Sequence, residues 1–118
     1  LYDAMNACID GNLDEIEVEN YDKKACCVVL ASKGYPDKYK KGFQVEKLDS
    51  LEDYPGIFVF HAGTKRGDGK VLTSGGRVLD CVGVSHSSET AIELAYFAAQ
   101  TVDFKNKYFR SDIGKNGR

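Results

Sequence analysis

The chain has 118 residues and a formal net charge of −2, a length that predicts one domain, residues 1–118. Its 42% hydrophobic fraction, with seven Tyr and six Phe, suffices for one modest core. The acidic balance argues against a general nucleic-acid binder, and no apolar run approaches the roughly 18 residues that span a membrane.

In chain order, residues 1–10 place Leu1, Met5, Cys8 and Ile9 at helical spacing, and Gly11-Asn12 supplies the stop. The chain opens on Leu1 as if inside a helix, without a capping residue, and closes on the polar Lys115-Asn116-Gly117-Arg118. Both ends lead us to expect a piece of something longer. A short acidic passage, 14–20, alternates Ile16 and Val18 against glutamates. Residues 25–31 form a continuous apolar run of strand length, expected to be central in a sheet. Within it, Cys26 and Cys27 are expected to be small buried hydrophobes. The four cysteines (Cys8, Cys26, Cys27, Cys81) form no C-x-x-C pair and there are two histidines, so no zinc site is expected. No positively charged n-region with an apolar h-region appears, so nothing indicates secretion, and the thiols are expected to be reduced in a cytosolic setting.

Gly34-Tyr35-Pro36-Asp37 forces a turn, and residues 43–48 alternate with a period near two, predicting a strand. Residues 57–60 form a second apolar strand after Pro55-Gly56. Asp68-Gly69 then marks a tight hairpin before Val71-Leu72. Residues 77–84 predict a long strand. Ser87 or Ser88 caps a helix running to about Val102, with Ile92, Ala95, Tyr96, Ala99 and Val102 on one face. The tail carries Phe104, Tyr108, Phe109 and Ile113, enough apolar surface to dock. Links between strands are too short for repeated helical crossovers, so the fold class is α+β, a mainly antiparallel sheet with flanking helices.

Four segments carry candidate chemistry. The loop 33–42 has four lysines among turn formers. It reads either as a solvated turn or as clustered ammonium groups beside glycine-freed backbone, able to hold a phosphate. His61-Ala62-Gly63-Thr64 puts a histidine at a strand end, where a hydrogen-bonded structural role is expected over catalysis. His86, ahead of a helix cap, reads as surface or capping chemistry. Ser74-Gly75-Gly76-Arg77 reads either as a turn with positive φ at a glycine or as backbone approaching an anion, with Arg77 adding paired charge-assisted hydrogen bonds. Arg110-Ser111-Asp112 is either a local ion pair or a segment folded back beside the glycine loops. There is no credible triad, metal-spaced acidic pair or complete phosphate loop, so no catalytic and no metal-ligating residue is assigned.

Taken together, Leu30-Ala31-Ser32-Lys33-Gly34-Tyr35-Pro36, His61-Ala62-Gly63-Thr64, Ser74-Gly75-Gly76-Arg77-Val78-Leu79 and Arg110-Ser111-Asp112-Ile113-Gly114 closely resemble the C-terminal domain of the phosphoribosylamine–glycine ligases, or glycinamide ribonucleotide synthetases. The resemblance covers essentially the whole chain. The family commonly has Gly where Lys33 and Asp37 stand, and Asn where Ser74 stands. The resemblance implies a cytoplasmic purine-biosynthesis enzyme whose upstream ATP-grasp domains hold ATP and Mg. Glycine, activated as an acyl phosphate, is then attacked by 5-phosphoribosylamine.

It implies that this piece forms one wall of the active-site cleft and is inactive alone. Arg77, Gly75 and Gly76 fall on the ribose-phosphate side. Tyr35, Pro36, Thr64 and Lys41 belong to the same wall, and Arg110 and Asp112 close or brace it. Three other readings remain open: the equivalent domain of another ATP-grasp ligase or carboxylase, a stand-alone anion-binding module, and a structural interaction domain.

Overall fold

Two nine-residue strands, β1 (Lys24–Ser32) and β5 (Arg77–Ser85), run antiparallel through the centre of a sheet. The computed structural model describes residues 1–115; the end of the polar tail, Asn116-Gly117-Arg118, lies outside the described residues. The outer strands are β2 (Ile57–His61), antiparallel to β5, and β6 (Lys107–Tyr108), antiparallel to β1, so the order is β2-β5-β1-β6. A separate hairpin joins β3 (Thr64–Gly67) and β4 (Lys70–Thr73). Its turn residues Asp68 and Gly69 have φ of 52° and 73°, as a two-residue turn between twisted strands requires.

One helix, α2 (Ser88–Thr101), covers one face of the sheet. The Ser87 hydroxyl accepts from the Thr90 N–H at 3.1 Å, satisfying a donor that the first helical turn leaves orphaned. Its buried ridge is Ala91, Ala95, Ala98 and Ala99, continued by Val102. Ile92 and Tyr96 are half-buried, so the face is rotated from the expected one. The ridge is small because the helix lies directly on β5 at Gly83. A Cβ on Gly83 would stand 2.1 Å from the Ala91 carbonyl oxygen. Val28, Leu30, Val78, Leu79 and Cys81 fill the space beneath, closed by Ile57, Val45, Leu51 and Phe104.

Several expectations need correction. Cys27 is exposed because it lies on the sheet face opposite α2, which has no cover; Cys26, in phase with buried Val28 and Leu30 on the other face, is half-buried, and Cys81 is the buried thiol. Residues 43–48 form no continuous strand. They bridge β4 at Gln44 opposite Leu72, then leave for Asp103 at Glu46. A single 3-10 turn, Leu13–Glu15, opens the acidic passage. Tyr108 is exposed although it pairs with β1, while Phe104 docks in the core.

The first helix, α1 (Tyr2–Asp10), ends as expected. Gly11 has φ 73°, and the Asn12 N–H donates to the Ala7 carbonyl. Most of its apolar residues are exposed, with Tyr2 at 77% and Ile9 at 83%.

Candidate functional site

Register along β1 and β5 sets the site. Val29 faces Asp80 and Leu30 faces Leu79, but the next residue of β1, Ala31, faces Arg77. Val78 is therefore an extra residue, a bulge in β5. In an unbroken strand, Arg77 and Asp80 would point to opposite faces. With Val78 bulged and fully buried, Arg77 joins Asp80 and Val29 on the uncovered face.

The two glycine segments meet beside this bulge. The Gly63 N–H donates to the Arg77 carbonyl and the Ser74 N–H to the Gly63 carbonyl, both at 2.8 Å. Ser32, 1% exposed, holds the other side: its N–H donates to the Gly76 carbonyl and its hydroxyl to the Gly75 carbonyl. The glycines are required for close approach, not for left-handed backbone. Neither Gly75 nor Gly76 has positive φ, which corrects that form of the turn reading. A Cβ on Gly63 would lie 2.5 Å from the Arg77 carbonyl oxygen and 2.8 Å from the Gly75 Cα. One on Gly76 would meet the Tyr35 ring at 2.0 Å. The N–H groups of Gly75 and Gly76 take no backbone partner among the described residues.

Tyr35, Gly63, Gly76, Arg77 and Asp80 border a cavity of about 510 Å³. A smaller one, about 190 Å³, shares Val29, Tyr35 and Arg77 and is closed by Tyr108, Phe109 and Arg110. The tail thus folds back beside the glycine loops, and it also forms the local ion pair. Arg110 Nε and Nη2 donate to the two Asp112 carboxylate oxygens at 2.9 and 2.6 Å. That hydrogen bonding holds the Asp112 carboxyl below its usual range and raises the Arg110 guanidinium. Both side chains are solvent-exposed, so the pair fixes geometry more than it stabilises.

Pro36, Lys41, Thr64, Gly75 and Asp112 line neither cavity. Lys41 lies over the Tyr39 ring, which in turn packs edge-on against Tyr35. Thr64 Oγ1 is bonded to His61 Nδ1 at 2.8 Å, the structural partnership expected for that histidine. His86 Nδ1 donates to the Asp22 carbonyl at 2.7 Å, tying the N-terminal segment to the end of β5.

Two residues escaped the sequence reading. Asp80 is an acid inside an apolar strand, which was a usable signal. Tyr96 is the other: its hydroxyl donates to the Arg110 carbonyl and accepts from the Ile113 N–H, both at 2.9 Å. Nothing in its local sequence marks that clamp. Among the described residues, no group of three His, Cys, Asp or Glu is placed to hold a metal ion. The described part of the chain therefore does not fit a magnesium site.

A sheet covered by a helix on one face and bordered on the other by an arginine and glycine loops defines an α+β domain. Residues 25–116 match the family model described as phosphoribosylglycinamide synthetase, C domain. The chain belongs to that family. It is 43% identical over 111 residues to a phosphoribosylamine–glycine ligase of Caldanaerobacter subterraneus, covering 94% of this chain and 26% of the relative. It is 41% identical over 116 residues to a bifunctional purine biosynthetic protein of Dictyostelium discoideum, covering 98% of this chain and 14% of that one. A crystal structure of phosphoribosylamine–glycine ligase from Thermotoga maritima superposes with a TM-score of 0.73 at 35% identity, covering 92% of this chain and 26% of that one. The chain thus spans about a quarter, or less, of the length of these proteins.

Proposed function

We propose that this chain acts as the C-terminal domain of an ATP-dependent ligase that joins glycine to 5-phosphoribosylamine in purine biosynthesis. In this reading residues 1–118 form one domain, inactive alone. The observation that carries it is the bulge at Val78, which turns Arg77 onto the open sheet face beside the Gly75-Gly76 loop, whose N–H groups take no backbone partner among the described residues. A guanidinium on a cavity wall beside a glycine loop suits a phosphate. Tyr35 and Gly76 shape that wall, with Gly75 behind it in the same loop, and Arg110, braced by Asp112, closes its far end. Pro36, Thr64 and Lys41 support the neighbouring loops.

ATP and Mg are bound by the preceding ATP-grasp domains, and ATP supplies the activation of the glycine carboxylate. Those domains are also the principal partner. The uncovered sheet face carries Phe58 at 52% and Phe60 at 55% exposure, and α1 turns Met5 and Ile9 outward. Such apolar surface suits intramolecular packing. The reading places the protein in the cytoplasm, with small-molecule substrates and neither nucleic acid nor membrane as partner; no described helix is long and apolar enough to cross a membrane.

The test is Arg77→Ala in the intact ligase. Loss of a charged hydrogen-bond pair predicts a KM for phosphoribosylamine raised about tenfold to a hundredfold. An unchanged KM and kcat would overturn the assignment.

A further inference from the structure

Asp80 is the one acid on β5, and its neighbours across the sheet are Val29 on β1 and Phe60 on β2. It is half-buried in the middle of a largely apolar face. Burying a carboxylate among apolar groups is unfavourable unless something pairs with it. Yet among the described residues the one ion pair is between Arg110 and Asp112, and no hydrogen bond reaches the Asp80 side chain. Arg77 is likewise unspent, although the bulge brings it to the same face and the same cavity of about 510 Å³. Two opposite charges therefore border one cavity without neutralising each other.

A wall of that kind fits a ligand with an anion at one end and hydrogen-bond donors at the other. The Asp80 carboxylate has two acceptor oxygens and no donor, so it suits vicinal hydroxyls. We propose that Asp80 is a ligand-binding residue of this cavity, accepting hydrogen bonds from the ribose hydroxyls of a pentose phosphate whose phosphate rests on Arg77. The inference builds on the phosphate reading of Arg77 and adds what selects the sugar. A lone phosphate gains nothing from Asp80 and is repelled by it. A pentose phosphate gains charge-assisted hydrogen bonds.

Calorimetric titration of the intact polypeptide with ribose 5-phosphate, 2-deoxyribose 5-phosphate and inorganic phosphate tests this. Asp80→Ala should weaken ribose 5-phosphate about tenfold or more while leaving inorganic phosphate unweakened. It should also abolish the preference for ribose over deoxyribose. Asp80→Asn, nearly isosteric, serves if the alanine variant does not fold, and should lose part of the same preference. Arg77→Ala should weaken all three ligands. If Arg77→Ala changes none of them, the underlying phosphate reading fails. If Arg77→Ala weakens all three but the Asp80 variants leave ribose 5-phosphate unchanged, the inference about Asp80 is overturned. Equal tightening of ribose 5-phosphate and phosphate would overturn it too, since a carboxylate that merely repels anions predicts that.

Discussion

Gly63 and Gly76 lie within one hydrogen-bonded cluster, yet an added methyl group should cost far more at the first than at the second. At Gly63 the new Cβ would meet backbone: the Arg77 carbonyl oxygen at 2.5 Å and the Gly75 Cα at 2.8 Å. Neither can yield without breaking the hydrogen bonds that join the two glycine segments. Overpacking of this kind costs about 1–3 kcal/mol, and the rigid backbone places Gly63→Ala near the upper end. At Gly76 the obstacle is the Tyr35 ring at 2.0 Å, and Tyr35 is 43% exposed, free to swing outward. Gly76→Ala should therefore cost less than about 1 kcal/mol but displace one wall of the 510 Å³ cavity.

For 118 residues the unfolding entropy near 60 °C is roughly 250 cal/mol/K, so each kcal/mol shifts Tm by about 4 °C. Thermal unfolding should thus show Gly63→Ala lowered by about 8–12 °C and Gly76→Ala by less than about 4 °C. Phosphate affinity measured alongside should fall in Gly76→Ala. Equal melting losses, or a larger loss in Gly76→Ala, would refute the reasoning.

Burial pushes the Cys81 thiol up to about 12 from an ordinary 9.0. A raised folded pKa gives stability that is complete below the unfolded value and lost as pH climbs through the folded one. The window is pH 9 to 12, and the loss approaches about 4 kcal/mol at its end. Urea titrations should show wild type losing more stability between pH 8 and 11 than Cys81→Ala; parallel slopes would contradict this. The Lys107 ammonium donates to the carbonyls of Ala99 and Val102 at 2.9 and 2.7 Å, closing the end of α2. Lys107→Met should cost about 1.5–3 kcal/mol in urea unfolding. Tyr96→Phe removes both hydrogen bonds to the loop 110–113. It should lower Tm by about 4–12 °C, and speed amide exchange at Ile113 far more than in the core.

The long elements were legible because their causes are local. Residues 25–31 are a run of strand length, Ser87 caps α2, and Asp68-Gly69 demands its turn. What was not legible depends on distant partners. A continuous apolar run does not reveal whether both faces are covered, so Cys27 was expected to be buried. Residues 43–48 alternate like a strand but divide their pairing between Leu72 and Asp103, which are remote in sequence. At the site, Arg77 stood out as the charge beside two glycines. Its direction did not, because a bulge depends on how β5 registers against β1. For the same reason, Asp80 joined Arg77 only once the strand register was known.

The central claim is that the bulge turns Arg77 outward to receive a phosphate. The most direct test is a crystal structure of the intact polypeptide with a bound pentose phosphate. The account predicts the phosphate within hydrogen-bonding distance of the Arg77 guanidinium, against the Gly76 backbone. A phosphate seated elsewhere, with Arg77 turned into a contact of its own protein, would contradict it.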